Sequence, residues 1–136
     1  MIIFNTIGEF EKYDSLSSVE AAADYVNGTL GTVENGVFTA KATGTHFIYE
    51  VEKGDDMYLD SYTVKKGAQI RVCELAKLNG KEVRITSVNL PKTVAPKDKL
   101  TSNANGALVV SSSATAPYLV VKELRPYGVL AEIVGE

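Results

Sequence analysis

The sequence has one cysteine, no tryptophan and no long apolar run, and each of these absences excludes a class of protein. A single cysteine, Cys73, can form neither an intrachain disulfide nor a cysteine-based zinc site. No apolar stretch approaches the roughly 20 residues that a membrane-spanning helix needs. The apolar start Met1-Ile2-Ile3-Phe4 is too short, and lacks the basic residues, for a signal peptide. We therefore expect a protein made and folded in a reducing cytoplasm, with no membrane partner.

An excess of positive charge is also missing. The chain carries 14 Lys and Arg against 17 Asp and Glu, a net charge of −3. Direct binding to nucleic acid needs basic residues that displace counterions from phosphates, so we do not expect a nucleic-acid partner. What is present is enough apolar sequence for a core. With 136 residues, 45% of them hydrophobic, the chain predicts a single compact domain.

The sequence contains no recognisable catalytic or cofactor motif. It has no phosphate-binding loop, no dinucleotide fingerprint and no nucleophile elbow, so we expect no enzyme, no catalytic residue and no cofactor. His46 is the only histidine, and no orienting carboxylate can be assigned to it from the sequence. Cys73 lies within a predicted strand, where a buried structural thiol is expected rather than a nucleophile.

One cluster of acidic residues has the side chains of a candidate calcium site. Its carboxylates are oxygen ligands of the kind that calcium prefers, but their spacing is not that of an EF-hand loop. We interpret the cluster as a solvated turn and expect no metal site. Its members are Glu50, Glu52, Asp55, Asp56 and Asp60.

Short strands separated by turns predict a mainly β fold, a small hairpin-rich antiparallel barrel or sandwich. The pattern is centred on a hairpin from Tyr62 to Ser87 that turns at Asn79-Gly80, because Asn-Gly favours the type I′ turn. A second Asn-Gly hairpin is predicted over 30–40, and a third hairpin over 100–110. Two further strands are predicted over 118–123 and 129–134.

The N-terminal residues carry the one helical signal. Ser17 and Glu20 have the spacing of a capping box, and an alanine run follows, which predicts a short helix over 15–28. Residues 1–13 are predicted to form either a terminal strand or an extended arm that docks on a partner. We therefore divide the chain into an arm plus short helix (1–29) and a β domain (30–136). The candidate partner-contact residues are Ile2, Ile3, Phe4, Phe10 and Tyr13.

Several stretches resemble a known family. They are Tyr49 to Asp60, Val64 to Leu75, Asn79 to Thr86, Asp98 to Val109, and Tyr127 to Val134. Together they are similar to the small β-rich virion proteins of tailed bacteriophages, which are capsid decoration (cement) proteins or related head structural proteins. The resemblance covers roughly residues 30 to 134.

The resemblance implies a mechanical function. A decoration protein binds the major capsid protein on the assembled shell, bridges neighbouring subunits and stabilises the shell against internal pressure. It also implies a homo-oligomer, with a trimer favoured, made in the host cytoplasm and located on the capsid surface. The alternative is a small β-barrel module that binds a ligand or a carbohydrate, such as one in a phage tail.

Overall fold

The computed structural model describes residues 1–4, 16–49 and 63–136. These residues form a mainly β structure, as predicted, with a closed barrel, a six-stranded sheet and a small two-stranded sheet. The strands are β1 (Ile2–Phe4), β2 (Leu16–Ala21), β3 (Tyr25–Val26), β4 (Leu30–Glu34), β5 (Val37–Ala40), β6 (His46–Ile48), β7 (Thr63–Val64), β8 (Gln69–Glu74), β9 (Glu82–Thr86), β10 (Lys99–Ser102), β11 (Leu108–Val110), β12 (Tyr118–Arg125) and β13 (Gly128–Val134).

The barrel has five strands in the order β2-β5-β4-β6-β8, closed between β8 and β2. All of its neighbouring strands are antiparallel except β2 and β5. The hairpin predicted over 30–40 is confirmed as β4 and β5. Asn35 (φ 52°) and Gly36 (φ 76°) both have the positive φ that a type I′ turn requires.

The six-stranded sheet has the order β1-β9-β13-β12-β10-β11, and every neighbouring pair in it is antiparallel. The hairpin predicted over 100–110 is confirmed as β10 and β11. The two strands predicted near the end of the sequence are confirmed as β12 and β13, which form a hairpin of their own.

The predicted central hairpin over Tyr62–Ser87 is wrong. Its first strand, β8, pairs with β2 and β6 in the barrel, whereas β9 pairs with β1 and β13 in the six-stranded sheet. Asn79 has φ −52° and ψ 130°, and Gly80 has φ 83°, which is a type II turn and not a hairpin turn. A 3-10 helix at Leu75–Leu78 precedes it, and the buried Leu75 and Leu78 hold the chain as it crosses between sheets.

The predicted N-terminal helix is not found in the described part of 15–28, which contains β2 and β3 instead. Val19 and Ala21 are buried in the barrel, while Glu20 between them is exposed. This alternation has the period of a strand. Pairing with β5 and β8 and burial of alternate residues therefore outweigh the helix propensity of the alanine run.

Two clusters of buried side chains hold the fold together. The barrel core consists of Val19, Ala21, Phe38, Ile48, Val64, Ile70 and Val72. The sheet–barrel core joins the inner face of the six-stranded sheet to Leu30, Phe47 and Cys73 on the outside of the barrel. Strands β6 and β8 contribute to both cores, because successive residues of a strand point to opposite faces.

Candidate functional site

Three large apolar side chains are exposed around one corner of the six-stranded sheet. Val88, Leu124 and Tyr127 are 47%, 54% and 36% exposed. Leu124 lies near the end of β12, Tyr127 in the turn that follows, and Val88 in the 3-10 helix after β9. The Ser87 amide donates a hydrogen bond to the Tyr127 carbonyl (3.0 Å), which joins the two chain segments. We call Val88, Leu124 and Tyr127 the apolar corner.

The position of Leu124 at the rim of the core-facing side follows from an irregularity in β12. The pairing of β12 with β13 shifts register between Val121 and Glu123. Before the shift Val121 is 1% exposed, and all residues after it to the end of the strand are exposed. Leu124 lies opposite Val129, which is fully buried, so the two are on the same face of the sheet. Leu124 is thus at the rim of the core-facing side.

Charged side chains flank Leu124 along β12. Glu123 and Arg125, on either side of Leu124, form an ion pair. On the same strand Lys122 pairs with Glu82 of β9, with 3.3 Å between Nζ and Oε2. An apolar centre with a charged, solvated rim is the arrangement found in protein–protein interfaces. The corner can therefore contact a partner without exposing a large apolar area in its absence.

The two edges of the six-stranded sheet are a second candidate surface. Among the described strands, β1 has only β9 as a neighbour and β11 has only β10. Neither strand contains a charged residue or a proline, which are the usual means of blocking an edge. Each edge can therefore accept a further strand.

The predicted partner-contact residues do not all lie on the surface. Ile2 is fully buried and belongs to the sheet–barrel core, so its side chain packs within its own chain. It packs in its own domain because β1 pairs with β9, the terminal-strand alternative of the prediction. Ile3 and Phe4 belong to the same strand. Phe10 and Tyr13 lie outside the described residues, as does the whole acidic cluster, so those predictions remain.

An open depression of about 490 Å³ lies along the outside of the β4–β5 hairpin. Thr32 lies opposite Thr39, and Glu34 opposite Val37, on the face that points away from the barrel core. The depression presents hydroxyl, carboxylate, amide and ammonium groups, and its volume falls within the range of small-molecule sites. Its lining residues are Thr32, Glu34, Asn35, Val37, Thr39, Ala40 and Lys41.

His46 is half-buried at the start of β6, and the structure supplies the carboxylate neighbour that the sequence did not reveal. Glu74 lies directly across from it on β8. Burial lowers the pKa of His46 below its usual value, Glu74 opposes this shift, and Lys77 adds to it. Nδ1 lies 2.9 Å from the Thr45 hydroxyl oxygen. We assign these contacts to the packing of the barrel end.

Cys73 is buried, as the sequence predicts. It is 2% exposed and packs in the sheet–barrel core. Burial raises the pKa of its thiol to about 12, and the smaller effect of Arg71 in the opposite direction does not offset this. The thiol is therefore protonated at neutral pH, and a protonated, buried thiol is a poor nucleophile.

Within residues 1–4, 16–49 and 63–136, no group of three or more histidine, cysteine or acidic side chains is placed to hold a metal ion. No helix in those same stretches is long and apolar enough to cross a membrane. Comparison of the chain with protein-family models, with curated proteins and with solved structures found no match.

The sequence reasoning missed the apolar corner. Its only signal was the placing of Leu124 and Tyr127 among charged and turn residues in the run from Lys122 to Gly128. Alternation from the buried Leu119 and Val121 would point Leu124 away from the core, and only the register shift turns it to the core-facing side, at the rim. The shift itself has no signature in the residues.

Proposed function

We propose that this protein is a non-enzymatic structural component of a tailed-phage virion, of the decoration or cement type. It binds the major capsid protein on the assembled shell and acts there as an oligomer, with a trimer favoured. Its location would then be the capsid surface, after synthesis in the host cytoplasm. The proposal begins from the sequence resemblance and is supported by one feature of the surface, the apolar corner.

The apolar corner is suited to a contact made only after assembly. The backbone that carries Val88, Leu124 and Tyr127 is in regular structure or is hydrogen-bonded. This backbone therefore loses little conformational freedom on binding. Burying such side chains against a shell stabilises the shell only in the state that presents the complementary surface. By mass action, a ligand that binds only the assembled shell shifts the equilibrium towards it.

The proposal is tested with purified empty, expanded capsids of a phage that encodes this protein. We expect the wild-type protein to co-sediment with the capsids and to raise their melting temperature. The variants Leu124→Asp and Tyr127→Asp should bind at least tenfold more weakly, which corresponds to about 1.4 kcal/mol. Ser112→Asp, an exposed loop change away from the corner, is the matched control.

Two results would contradict the proposal. The first is a wild-type protein that neither co-sediments nor protects the shell. The second is binding that the two corner variants retain in full, since this would place the contact elsewhere. Both side chains are exposed, so we expect their replacement to leave the core unchanged. Circular dichroism of each variant checks that it is folded, so that weaker binding is not a result of unfolding.

The second candidate is a module that binds a carbohydrate or other polar ligand, and the depression on the β4–β5 hairpin favours it. The paired hydroxyls of Thr32 and Thr39, with Glu34 and Lys41 beside them, would hydrogen-bond a polyol. This function is supported if labelled oligosaccharides bind the wild type and the control variant Ser112→Ala, but do not bind Thr39→Val. Equal binding by wild type and Thr39→Val would count against it.

A further inference from the structure

We propose that copies of this protein associate by pairing β1 of one copy with β11 of the next, so that their six-stranded sheets join into a closed ring. The inference deepens the oligomer part of the proposed function and rests on it. It does not depend on the capsid contact. Four features of the two edges carry it: their backbone groups, their strand direction, the face on which their side chains lie, and the lack of charged residues and proline in both strands.

The backbone groups of β11 are available for pairing. The Asn103 amide donates to the Ala107 carbonyl, and the Ser111 amide donates to the Lys99 carbonyl (2.9 Å each). In an antiparallel ladder the residues that bond to one neighbour alternate with residues whose groups point the other way. Leu108 and Val110 therefore direct their N–H and C=O groups away from β10, and no described residue accepts or donates to them.

The same reasoning applies to β1. The Thr86 amide donates to the Met1 carbonyl (2.9 Å), so Met1 and Ile3 face β9. Ile2 and Phe4 accordingly direct their backbone groups outwards. Each edge thus presents two outward-facing residues on a strand of three, and the two edges match in length.

Strand direction favours a ring. The five neighbouring pairs from β1 to β11 are all antiparallel, so β1 and β11 run in opposite directions. A second copy in the same orientation therefore adds its β1 antiparallel to the first copy's β11. Copies related by a rotation axis along the strands keep one orientation, which is the condition for cyclic symmetry.

The side chains also match across the proposed junction. When outward-facing residues pair, Ile2 lies opposite Val110, and directly opposed residues lie on the same face of a sheet. Ile2 is in the sheet–barrel core, and Val110 lies opposite the buried Leu100, so both are already on the inner face. Val110 is 43% exposed, and the junction would cover it.

Pairing of unlike edges also explains why neither edge strand contains a charged residue or a proline. If β11 paired with β11 of a second copy, a two-fold dimer would form and β1 would stay open in both copies. A ring of β1–β11 junctions leaves no open edge in the six-stranded sheet of any copy. The ring is therefore the arrangement in which both of these uncharged edges are covered.

The test compares two valine substitutions by light scattering without capsids. The wild type should have a mass of three or more times the 14.6 kDa chain. Val110→Lys places a charge in the junction and should weaken association at least tenfold. Val120→Lys, at a partly exposed valine of β12, which has a paired strand on each side, should leave the mass unchanged. A monomeric or dimeric wild type at every concentration, or an unchanged mass for Val110→Lys, would overturn the proposal.

A disulfide trap tests the register independently of folding effects in Val110→Lys. With Ile2 opposite Val110, Ile3 lies opposite Val109, so the double variant Ile3→Cys/Val109→Cys should form cross-links between copies on oxidation. Cross-linking by Val109→Cys alone would indicate β11–β11 pairing and overturn the ring. Cross-linked rings that fail to bind capsids would refute the capsid function while leaving the ring intact.

Discussion

At the scale of single residues, backbone conformation separates two turn glycines that look alike in the sequence. Gly128 has φ 151°, and a Cβ there would lie 2.0 Å from the Ile85 carbonyl oxygen. Gly36 has φ 76°, but a Cβ there would meet nothing within 4 Å. Both positions strain a side-chain-bearing residue, whereas only Gly128 also forces two strands apart.

We therefore expect Gly128→Ala to lower the free energy of unfolding by about 3 kcal/mol or more, and Gly36→Ala by about 1 kcal/mol. Urea denaturation followed by circular dichroism measures both values. Equal losses in the two variants would show that φ strain alone decides the cost and that the contact with Ile85 relaxes.

His46 makes stability depend on pH. Burial holds its pKa in the folded protein below the usual 6.5, so the unfolded chain binds the proton more readily. The resulting stabilisation is present above pH 6.5 and is lost as the pH falls below that value. Glu74 and Lys77, the charged groups that act on the ring, have opposite effects on the pKa.

The expected outcome is that the free energy of unfolding declines between pH 7 and pH 5, and that His46→Gln declines less over this interval. Urea denaturation of both proteins at several pH values gives the comparison. The carboxylates common to both chains contribute equally and cancel in the difference. Identical pH profiles would refute the assigned direction of the shift.

At the scale of elements, the Asn-Gly pairs show how far local sequence extends. Asn35-Gly36 forms the predicted type I′ hairpin, because β4 and β5 have complementary faces and pair directly. Asn79-Gly80 forms a type II turn, because Leu75 and Leu78 are buried and hold the chain between two layers. The same dipeptide therefore predicts a turn in both places, while its neighbours' burial decides which strands the turn connects.

A buried serine connects the third hairpin to the barrel. Ser102 in β10 is 3% exposed. Its hydroxyl donates to the Lys41 carbonyl (2.7 Å) and accepts from the Gly44 amide (2.8 Å), both in the β5–β6 connection. Removing it leaves two backbone groups without this partner.

Ser102→Ala should lower the free energy of unfolding by about 1–3 kcal/mol. Ser112→Ala, in an exposed loop, should change it by less than about 0.5 kcal/mol. Hydrogen exchange adds a local measurement, since the Gly44 amide should exchange faster in Ser102→Ala. An unchanged exchange rate would mean that another group replaces the hydroxyl.

At the scale of the whole molecule, the two cores share strands and should unfold together. Phe47 and Ile48 are neighbours in β6, yet Phe47 belongs to the sheet–barrel core and Ile48 to the barrel core. Loss of either core removes the pairing surface of the other, so cooperative unfolding is expected of the described structure.

We expect Phe38→Ala in the barrel core and Phe47→Ala in the sheet–barrel core each to cost about 3–5 kcal/mol, since both side chains are fully buried. Calorimetry should show one transition in the wild type and in each variant, shifted to lower temperature. Two separate transitions in either variant would identify the barrel and the sheet as independent units.

The sequence by itself determined the mainly β class, the turn at Asn35-Gly36, the hairpins β4–β5 and β10–β11, and the burial of Cys73. Each of these depends on φ preferences or on the alternation of a few neighbouring residues. Tertiary structure decided the rest. It made 16–21 a strand, placed β8 and β9 in different sheets, buried Ile2 and exposed Leu124. These outcomes depend on which distant strands share a core, and residues that meet only in three dimensions leave no local pattern.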